Sequence, residues 1–340
     1  MPIDPLGLLL VIVAGAIAGA MAWPVKLQRT FAMEHWSFAA WLAGLVVLPW
    51  LTLFTVFPPA GQAIADVPLR PLLIANAWSV AWGIANVLFS ICLMRIGFGL
   101  STGLLTGIGL PIGILVPMVF QGSGGFAQAP SLLSEAGQIM VGGTAVMVVA
   151  VILIAWAGLA RDASRTATGS SGGSLTGMAM AASAGVLQVG LSFSFIYSQG
   201  PITEAFHARG ASPLVANLGV WALVLPGGAL INVGYAAWRM TWLRNWGTLL
   251  GSPSDFALSV LIGVNFLVFL LCYGLGCQWL GAVGAALGFG VYQAMMIVSA
   301  QTVGILGGEW RNTPRRPRWL MACGVILLLA AVALMAWGQS

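Results

Sequence analysis

The chain has 340 residues, of which 59% are apolar and only 6% are Asp, Glu, Lys or Arg. A water-facing globular surface needs roughly a quarter of its residues charged, so this composition excludes a soluble protein. It also excludes a disordered chain, a disulfide-stapled secreted module and a nucleic-acid-binding protein, and the net charge of +5 is small for the length. We therefore expect an integral membrane protein whose surroundings are a lipid bilayer.

Ten apolar stretches follow one another along the chain, each about as long as the 20 residues that a helix needs to cross a bilayer. No stretch shows the strict alternation of a β-barrel strand. The predicted spans are 6–25, 37–57, 72–94, 99–120, 137–158, 175–197, 213–237, 257–276, 280–306 and 319–338. The expected fold class is an all-α integral membrane protein.

The basic residues orient these spans. Eleven of the 13 Lys and Arg residues fall in the odd-numbered loops, and the even-numbered loops hold only Arg70 and Arg209. Cytoplasmic loops carry the excess of positive charge, which predicts a multi-pass protein of a bacterial inner membrane with both termini on the periplasmic side. The first span has its basic residues, Lys26 and Arg29, after it and none before it. This favours an uncleaved membrane anchor over a signal peptide.

A polar Gly- and Ser-rich stretch, 161–174, divides the ten spans into five and five. An odd number of spans in each half gives the halves opposite orientations, as in the inverted repeats of secondary transporters. We predict a first five-helix repeat at 1–158, a cytoplasmic linker at 159–174 and a second five-helix repeat at 175–340. The fourth span of each half is rich in Gly or Pro, which predicts paired interrupted helices beside a substrate cavity. Alternatively, the small residues serve close helix packing.

The polar side chains inside the spans are amides, hydroxyls and aromatic rings, without a central charge. Such groups face a partner or a wet cavity in lipid, and this set suits a neutral, hydroxyl-rich ligand such as a sugar. The alternative for any one of them is an interhelical hydrogen bond, worth about 0.6 kcal/mol. The predicted substrate-binding residues are Asn76, Ser79, Trp82, Asn86, Gln188, Ser192, Asn217, Asn265 and Tyr292.

All eight acidic residues lie at span ends or in loops. Glu34 with His35 and Glu204 with His207 occupy equivalent places after the first span of each half, and histidine titrates near physiological pH. We predict that Glu204, Glu34 and His207 take part in proton coupling or gating; the alternative is a solvated loop charge. No Cys, His or acidic cluster has the spacing of a metal or catalytic site, so we expect no enzyme, metal or cofactor.

Several motifs resemble those of the L-rhamnose/proton symporter family of the drug/metabolite transporter superfamily. The most specific is Glu309–Pro317, which fits the pattern E-W-x-N-x-x-R-R-P; Trp82–Asn86, Leu48–Trp50, Gly227–Gly234 and Glu204 match as well. The resemblance covers about residues 20–338. It implies a secondary active transporter that imports L-rhamnose, or a related 6-deoxy sugar, together with protons by alternating access. The alternative is an uncoupled facilitator or metabolite exporter of the same superfamily. The expected partners are the sugar, protons and lipid, and no oligomeric state is predicted.

Overall fold

The computed structural model describes residues 4–21, 23–96, 98–120, 130–165, 175–281, 284–311 and 313–338. Over these residues the chain is helical, and ten segments are long and apolar enough to cross a membrane. The predicted fold class and number of spans are therefore confirmed. The α-helices are α1 (Pro5–Ala20), α2 (Met33–Leu42), α3 (Leu48–Val56), α4 (Ala60–Ala65), α5 (Leu69–Ile96), α6 (Phe98–Val119), α7 (Glu135–Arg165), α8 (Leu175–Leu187), α9 (Gly190–Ala208), α10 (Pro213–Leu243), α11 (Gly247–Gly251), α12 (Pro253–Trp279), α13 (Phe289–Leu306) and α14 (Arg315–Trp337).

Several spans are not uniform α-helices. A 3₁₀ turn at Trp23–Leu27 extends the first span, and a π-helical turn at Ala43–Val47 joins α2 to α3 in the second. Another π-helical turn, Gly284–Gly288, precedes α13 in the ninth. The sixth span consists of α8 and α9, which a turn at 188–189 separates.

The predicted interruption of the fourth span is wrong, because α6 is one continuous helix that contains Pro111 and Pro117. Its glycines permit close packing instead. A Cβ on Gly103 would overlap the side chain of Ala155, and a Cβ on Gly113 would overlap the ring of Phe289. Small residues of this kind let helix backbones approach closely in lipid.

The chain forms two compact units. Unit 1 comprises Met1–Ala16, Ala85–Val189 and Gly276–Ser340, and unit 2 comprises Ile17–Ile84 and Gly190–Leu275. Their boundaries fall inside the first, third, sixth and eighth spans, so both predicted halves are divided at corresponding helices. This agrees with an inverted repeat, which stays a prediction along with its residue bounds. Helix α7 continues to Arg165, into the predicted linker, and residues 166–174 lie outside the described part of the chain.

Within each unit, polar contacts join loop ends that the charge pattern places on one side of the membrane. In unit 2, Arg209 of the sixth loop forms an ion pair with Asp66 of the second, at 2.7 Å. In unit 1, Arg161 at the fifth loop pairs with Glu309 at the ninth, at 3.1 Å. The pairing of even with even and odd with odd loops agrees with the predicted topology; the side that faces the cytoplasm stays a prediction.

Candidate functional site

A continuous set of aromatic rings lies inside unit 2, and we call it the aromatic cluster. Its members are Trp41, Trp82, Phe195, Trp221, Phe266, Phe269 and Tyr273. At one end Trp82 stacks on Phe266 with ring centroids 5.7 Å apart. At the other end Phe195 stacks on Trp221 at 4.8 Å and 14°, and both rings lie within 6.4 Å of the Tyr273 ring. Rings in such arrangements are fixed by their neighbours and present apolar faces and edges of defined geometry.

Helix α12 forms the middle of the aromatic cluster. Phe266, Phe269 and Tyr273 recur at i, i+3 and i+7, which places them on one face of the helix. The close approach of α2 to this helix depends on glycine, because a Cβ on Gly263 would lie 2.6 Å from the carbonyl oxygen of Ala40. The sequence therefore brings the rings together by periodicity on α12 and by a missing side chain where α2 crosses it.

Ser192 and Asn217 adjoin the aromatic cluster besides Trp82, which belongs to it, and Asn265 is next to one of its members in the sequence. Ser192 Oγ and Tyr273 Oη are 2.7 Å apart and share a hydrogen bond. Asn217 is fully buried and donates from Nδ2 to the carbonyl oxygen of Leu271 at 2.9 Å. Asn265 precedes Phe266 on α12 and is half-buried. The groups assembled here are uncharged amides, hydroxyls and rings, which is the chemistry that recognises a neutral polyol.

Asn76 also lies in unit 2, but its amide is bonded to the backbone of α10. Pro226 lies inside that helix and has no N–H to donate to the preceding turn. Asn76 Nδ2 donates to the carbonyl oxygen of Leu223 at 2.9 Å, and Asn76 Oδ1 accepts from the N–H of Gly227 at 2.9 Å. In an unbroken α-helix these two backbone groups would pair with each other. The amide thus bridges the turn that contains the proline.

Ser79, one turn along α5, extends this contact. Its Oγ accepts a hydrogen bond from the N–H of Gly228 at 2.9 Å, and Ser79 is fully buried. The two N–H groups that follow Pro226 thus donate to side chains of α5, the kind of partner that a neighbouring helix can supply beside a proline in a membrane helix. We call Asn76 and Ser79 the α5 clasp. Contact of either side chain with a substrate stays a prediction.

The remaining predicted substrate residues, Asn86, Gln188 and Tyr292, belong to unit 1. Gln188 Nε2 donates to the carbonyl oxygen of Leu105 at 2.7 Å. Tyr292 Oη lies 3.6 Å from the sulfur of Met296, one turn away on α13. Asn86 Nδ2 is buried and has no hydrogen-bond partner among the described residues. The structure thus places six of the nine predicted substrate residues in unit 2 and three in unit 1. Their role as a binding site stays a prediction.

Glu34 lies at the start of α2 in a polar cluster that also contains Arg239 and Asn245, and its side chain is 4% exposed. Its Oε1 accepts from Asn245 Nδ2 at 2.9 Å, and its Oε2 lies 3.6 Å from Arg239. Asn245 is directed towards α2 because Arg244, just after α10, adopts the left-handed conformation with φ 54°. We call Glu34, Arg239 and Asn245 the Glu34 cluster.

His35 completes this contact between α2 and the end of α10. Its Nδ1 accepts from the backbone N–H of Ala32 at 3.1 Å, since a backbone N–H can only donate. Its Nε2 therefore carries the proton and donates to the carbonyl oxygen of Asn245 at 3.1 Å. The histidine is buried, at 2% exposure, and both of its ring nitrogens are hydrogen-bonded.

The second predicted proton pair has different surroundings. Glu204 and His207, near the end of α9, are both exposed. His207 Nδ1 donates to the carbonyl oxygen of Ala211 at 2.8 Å. The predicted equivalence of the two Glu and His pairs in the sequence is therefore not matched by equivalent burial or bonding.

The predicted site set omits most rings of the aromatic cluster and both partners of Glu34. Spacing on α12 could have identified Phe266, Phe269 and Tyr273 as one face. Arg239 and Asn245 carry no such signal, because their partner lies more than 200 positions away in the sequence.

Ten apolar spans, together with an uncharged aromatic and hydroxyl-bearing cluster, define a multi-pass membrane protein of the transporter class. The model of a protein family described as L-rhamnose-proton symport protein matches residues 3–340. The chain belongs to this family, which comprises transporters and not enzymes, and the resemblance stated from the motifs is confirmed.

Individual relatives agree with the family match. The L-rhamnose-proton symporter of Yersinia pestis is 24% identical over 347 residues, covering 98% of each chain. The proteins of the same name from Klebsiella pneumoniae and Mannheimia succiniciproducens are 24% and 23% identical, covering 91% and 96% of this chain and 92% and 96% of their own. Similarity at this level extends over nearly the whole length, so it includes both units.

Proposed function

We propose that this protein is a secondary active transporter of the inner membrane that imports L-rhamnose, or a closely related 6-deoxy sugar, with proton symport by alternating access. The family match supports the sugar and the proton as substrates, since the curated relatives are named L-rhamnose-proton symporters. The observation in this chain that carries the proposal is the uncharged aromatic cluster of unit 2 with its adjoining hydroxyl and amide groups. A cationic substrate would require a carboxylate at such a site.

The sugar is proposed to bind against the aromatic cluster. A 6-deoxyhexose has one apolar face and a methyl group, which suit the rings of Trp82 and Phe266, and hydroxyls, which suit Ser192, Asn217 and Asn265. The predicted substrate residues of unit 1, Asn86, Gln188 and Tyr292, stay predictions beside this proposal.

Glu34 is the proposed proton-linked group. Its carboxylate holds Arg239 and Asn245 at the end of α10, so protonation would remove the charge that faces Arg239 and weaken the Glu34 cluster. Loss and recovery of that contact would make the position of α10 depend on the proton. Glu204 and His207 are proposed to act as exposed gating residues on the other side.

Uptake of radiolabelled L-rhamnose into proteoliposomes tests both the identity of the sugar and its coupling to protons. Uptake should accelerate several-fold when the outside is made acidic and should lose that acceleration when a protonophore is added. Glu34→Gln should bind sugar but lose the dependence on the pH gradient, whereas Glu135→Gln, at the exposed start of α7, serves as the matched control. Rhamnose uptake that ignores the pH gradient would favour the uncoupled facilitator. No uptake of any 6-deoxyhexose would refute the sugar assignment.

A further inference from the structure

Two fully buried polar side chains of α10 lie against Gly274 of α12. Asn217 and Trp221 are both 0% exposed and one turn apart. A Cβ added to Gly274 would overlap Asn217 Oδ1 and lie 2.8 Å from Trp221 Nε1. Both atoms therefore face the same side of Gly274, at a point where a side chain on that residue would collide with them.

Both atoms lack a hydrogen-bond partner among the described residues. The orientation of the Asn217 amide is fixed, because Nδ2 donates to the carbonyl oxygen of Leu271 and an oxygen in that place would face another oxygen. Oδ1 is consequently an acceptor directed at Gly274. Trp221 Nε1 carries a hydrogen and can only donate. Buried polar groups without partners are costly, so a pair of them side by side points to a ligand.

One acceptor and one donor beside the same point fit a hydroxyl group. A hydroxyl donates one hydrogen and accepts others, at oxygen distances of about 2.7–3.0 Å. A single hydroxyl oxygen can therefore donate to Asn217 Oδ1 and accept from Trp221 Nε1. A carboxylate could not donate to Oδ1, and an ammonium could not accept from Nε1.

The surroundings of this point belong to the aromatic cluster. Phe195 stacks on the ring of Trp221, and Tyr273, which precedes Gly274, shares a hydrogen bond with Ser192. The ring of Trp221 is held between these neighbours, so the direction of its N–H is fixed before any ligand arrives. A pre-oriented donor gives selectivity, since no side chain has to be ordered on binding.

We propose that Asn217, Trp221 and Gly274 form a subsite that takes one specific hydroxyl of the transported sugar. This inference rests on the proposed function and goes further, because it assigns the selection of one hydroxyl to three residues. Water carries the same chemistry, so the experiment must distinguish a sugar hydroxyl from a water molecule that fills the same point.

The test is binding of L-rhamnose and its monodeoxy analogues, each lacking one hydroxyl, to purified protein by titration calorimetry. The unaltered protein should bind one analogue about 10-fold more weakly than rhamnose, as expected for the loss of hydrogen bonds to buried partners. Trp221→Phe keeps a ring and removes the donor. It should weaken rhamnose binding by about 3- to 10-fold and leave that one analogue unaffected, so the discrimination disappears.

Two further variants sharpen the result. Asn217→Leu should remove the same discrimination. Gly274→Ala should weaken binding of every sugar that carries the selected hydroxyl, because its Cβ would collide with Asn217 Oδ1 and Trp221 Nε1. Trp238→Phe, an exposed tryptophan on the same helix, is the matched control and should bind like the unaltered protein. Trp221→Phe keeps an aromatic ring at this position and adds no atoms, so it remains informative if Gly274→Ala does not fold.

Three other results of the binding experiment would refute the subsite. If rhamnose binds and the Trp221→Phe and Asn217→Leu variants keep the full discrimination among analogues, the subsite proposal is wrong and the point holds water. If those variants weaken all analogues by the same factor, their effect is structural and the proposal is equally wrong. If the unaltered protein binds no sugar of the panel, the proposed function fails and the subsite fails with it.

Discussion

Replacing Asn76 by alanine tests whether its amide bridges the proline turn of α10 or is reserved for a substrate. The variant removes two interhelical hydrogen bonds of 2.9 Å, to the carbonyl oxygen of Leu223 and from the N–H of Gly227. It also removes one of 3.0 Å to the carbonyl oxygen of Leu72 in its own helix. Interhelical hydrogen bonds in membranes average about 0.6 kcal/mol, and a backbone group left without a partner costs about 1–3 kcal/mol. Because the freed groups can partly pair with each other, we expect Asn76→Ala to lower the free energy of unfolding by about 1–3 kcal/mol.

Two serine variants calibrate this value. Ser79→Ala removes one acceptor, for the N–H of Gly228, and should cost about 1 kcal/mol. Ser90 lies further along α5, and in the described part of the chain its hydroxyl bonds only to the carbonyl oxygen of Asn86 in its own helix, so Ser90→Ala should cost less than about 0.5 kcal/mol. Titration with a denaturing detergent in mixed micelles measures all three unfolding free energies under one condition.

The expected order of destabilisation is Asn76→Ala, then Ser79→Ala, then Ser90→Ala. If Asn76→Ala is as stable as Ser90→Ala, the bridging role is refuted. If, in addition, its affinity for the sugar falls, the amide serves the substrate and the original substrate assignment of Asn76 is correct.

Three other contacts give predictions of the same kind. Asp255→Asn should release the segment before α2, because its carboxylate accepts the backbone N–H groups of residues 29–31, and limited trypsin digestion should then cut after residue 29 several-fold faster. Gly263→Ala should lower the unfolding free energy by about 1–3 kcal/mol through its clash with α2, whereas Gly234→Ala, with nothing within 4 Å, should leave it unchanged or raise it. Arg161→Gln should cost about 1–2 kcal/mol in a thermal unfolding series, since it removes the charge that faces the carboxylate of Glu309 at 3.1 Å in a partly exposed pair. An unchanged cleavage rate after residue 29 would contradict the Asp255 contact, and an unchanged unfolding free energy would contradict the contact of Gly263 or of Arg161.

The number and position of the spans could be predicted from the sequence because the requirement that sets them is local. A helix must present about 20 apolar residues to cross the hydrocarbon, whatever its neighbours are. The interruption predicted for the fourth span failed because Gly and Pro have two uses in lipid. The glycines of α6 leave room for the side chains of Ala155 and Phe289. Its prolines do not break the helix, because neighbouring groups can satisfy the backbone that a proline leaves unpaired.

The polar stripe on α5 shows why the site itself was harder to predict. Asn76 and Ser79 were correctly placed on one face, but an amide in lipid needs a partner, and a neighbouring helix backbone meets that need as well as a sugar does. The sequence does not reveal that backbone groups beside Pro226, more than 140 positions later, would be the hydrogen-bond partners of that amide. The π-helical turn at Ala43–Val47 is a further obstacle, because one extra residue in a turn rotates every later side chain of that span away from the face expected at 3.6 residues per turn.

The contact between the α5 clasp and the proline turn of α10 implies that positions 76 and 226 constrain each other in evolution. A chain that loses the amide at position 76 while it keeps the proline at 226 has two backbone groups to satisfy in lipid, and a chain that loses the proline no longer needs the amide. The two positions should therefore change together among relatives, with proline and asparagine gained or lost as a pair. Pro226→Ala should accordingly rescue the stability of Asn76→Ala, a compensation that a substrate-binding asparagine would not show.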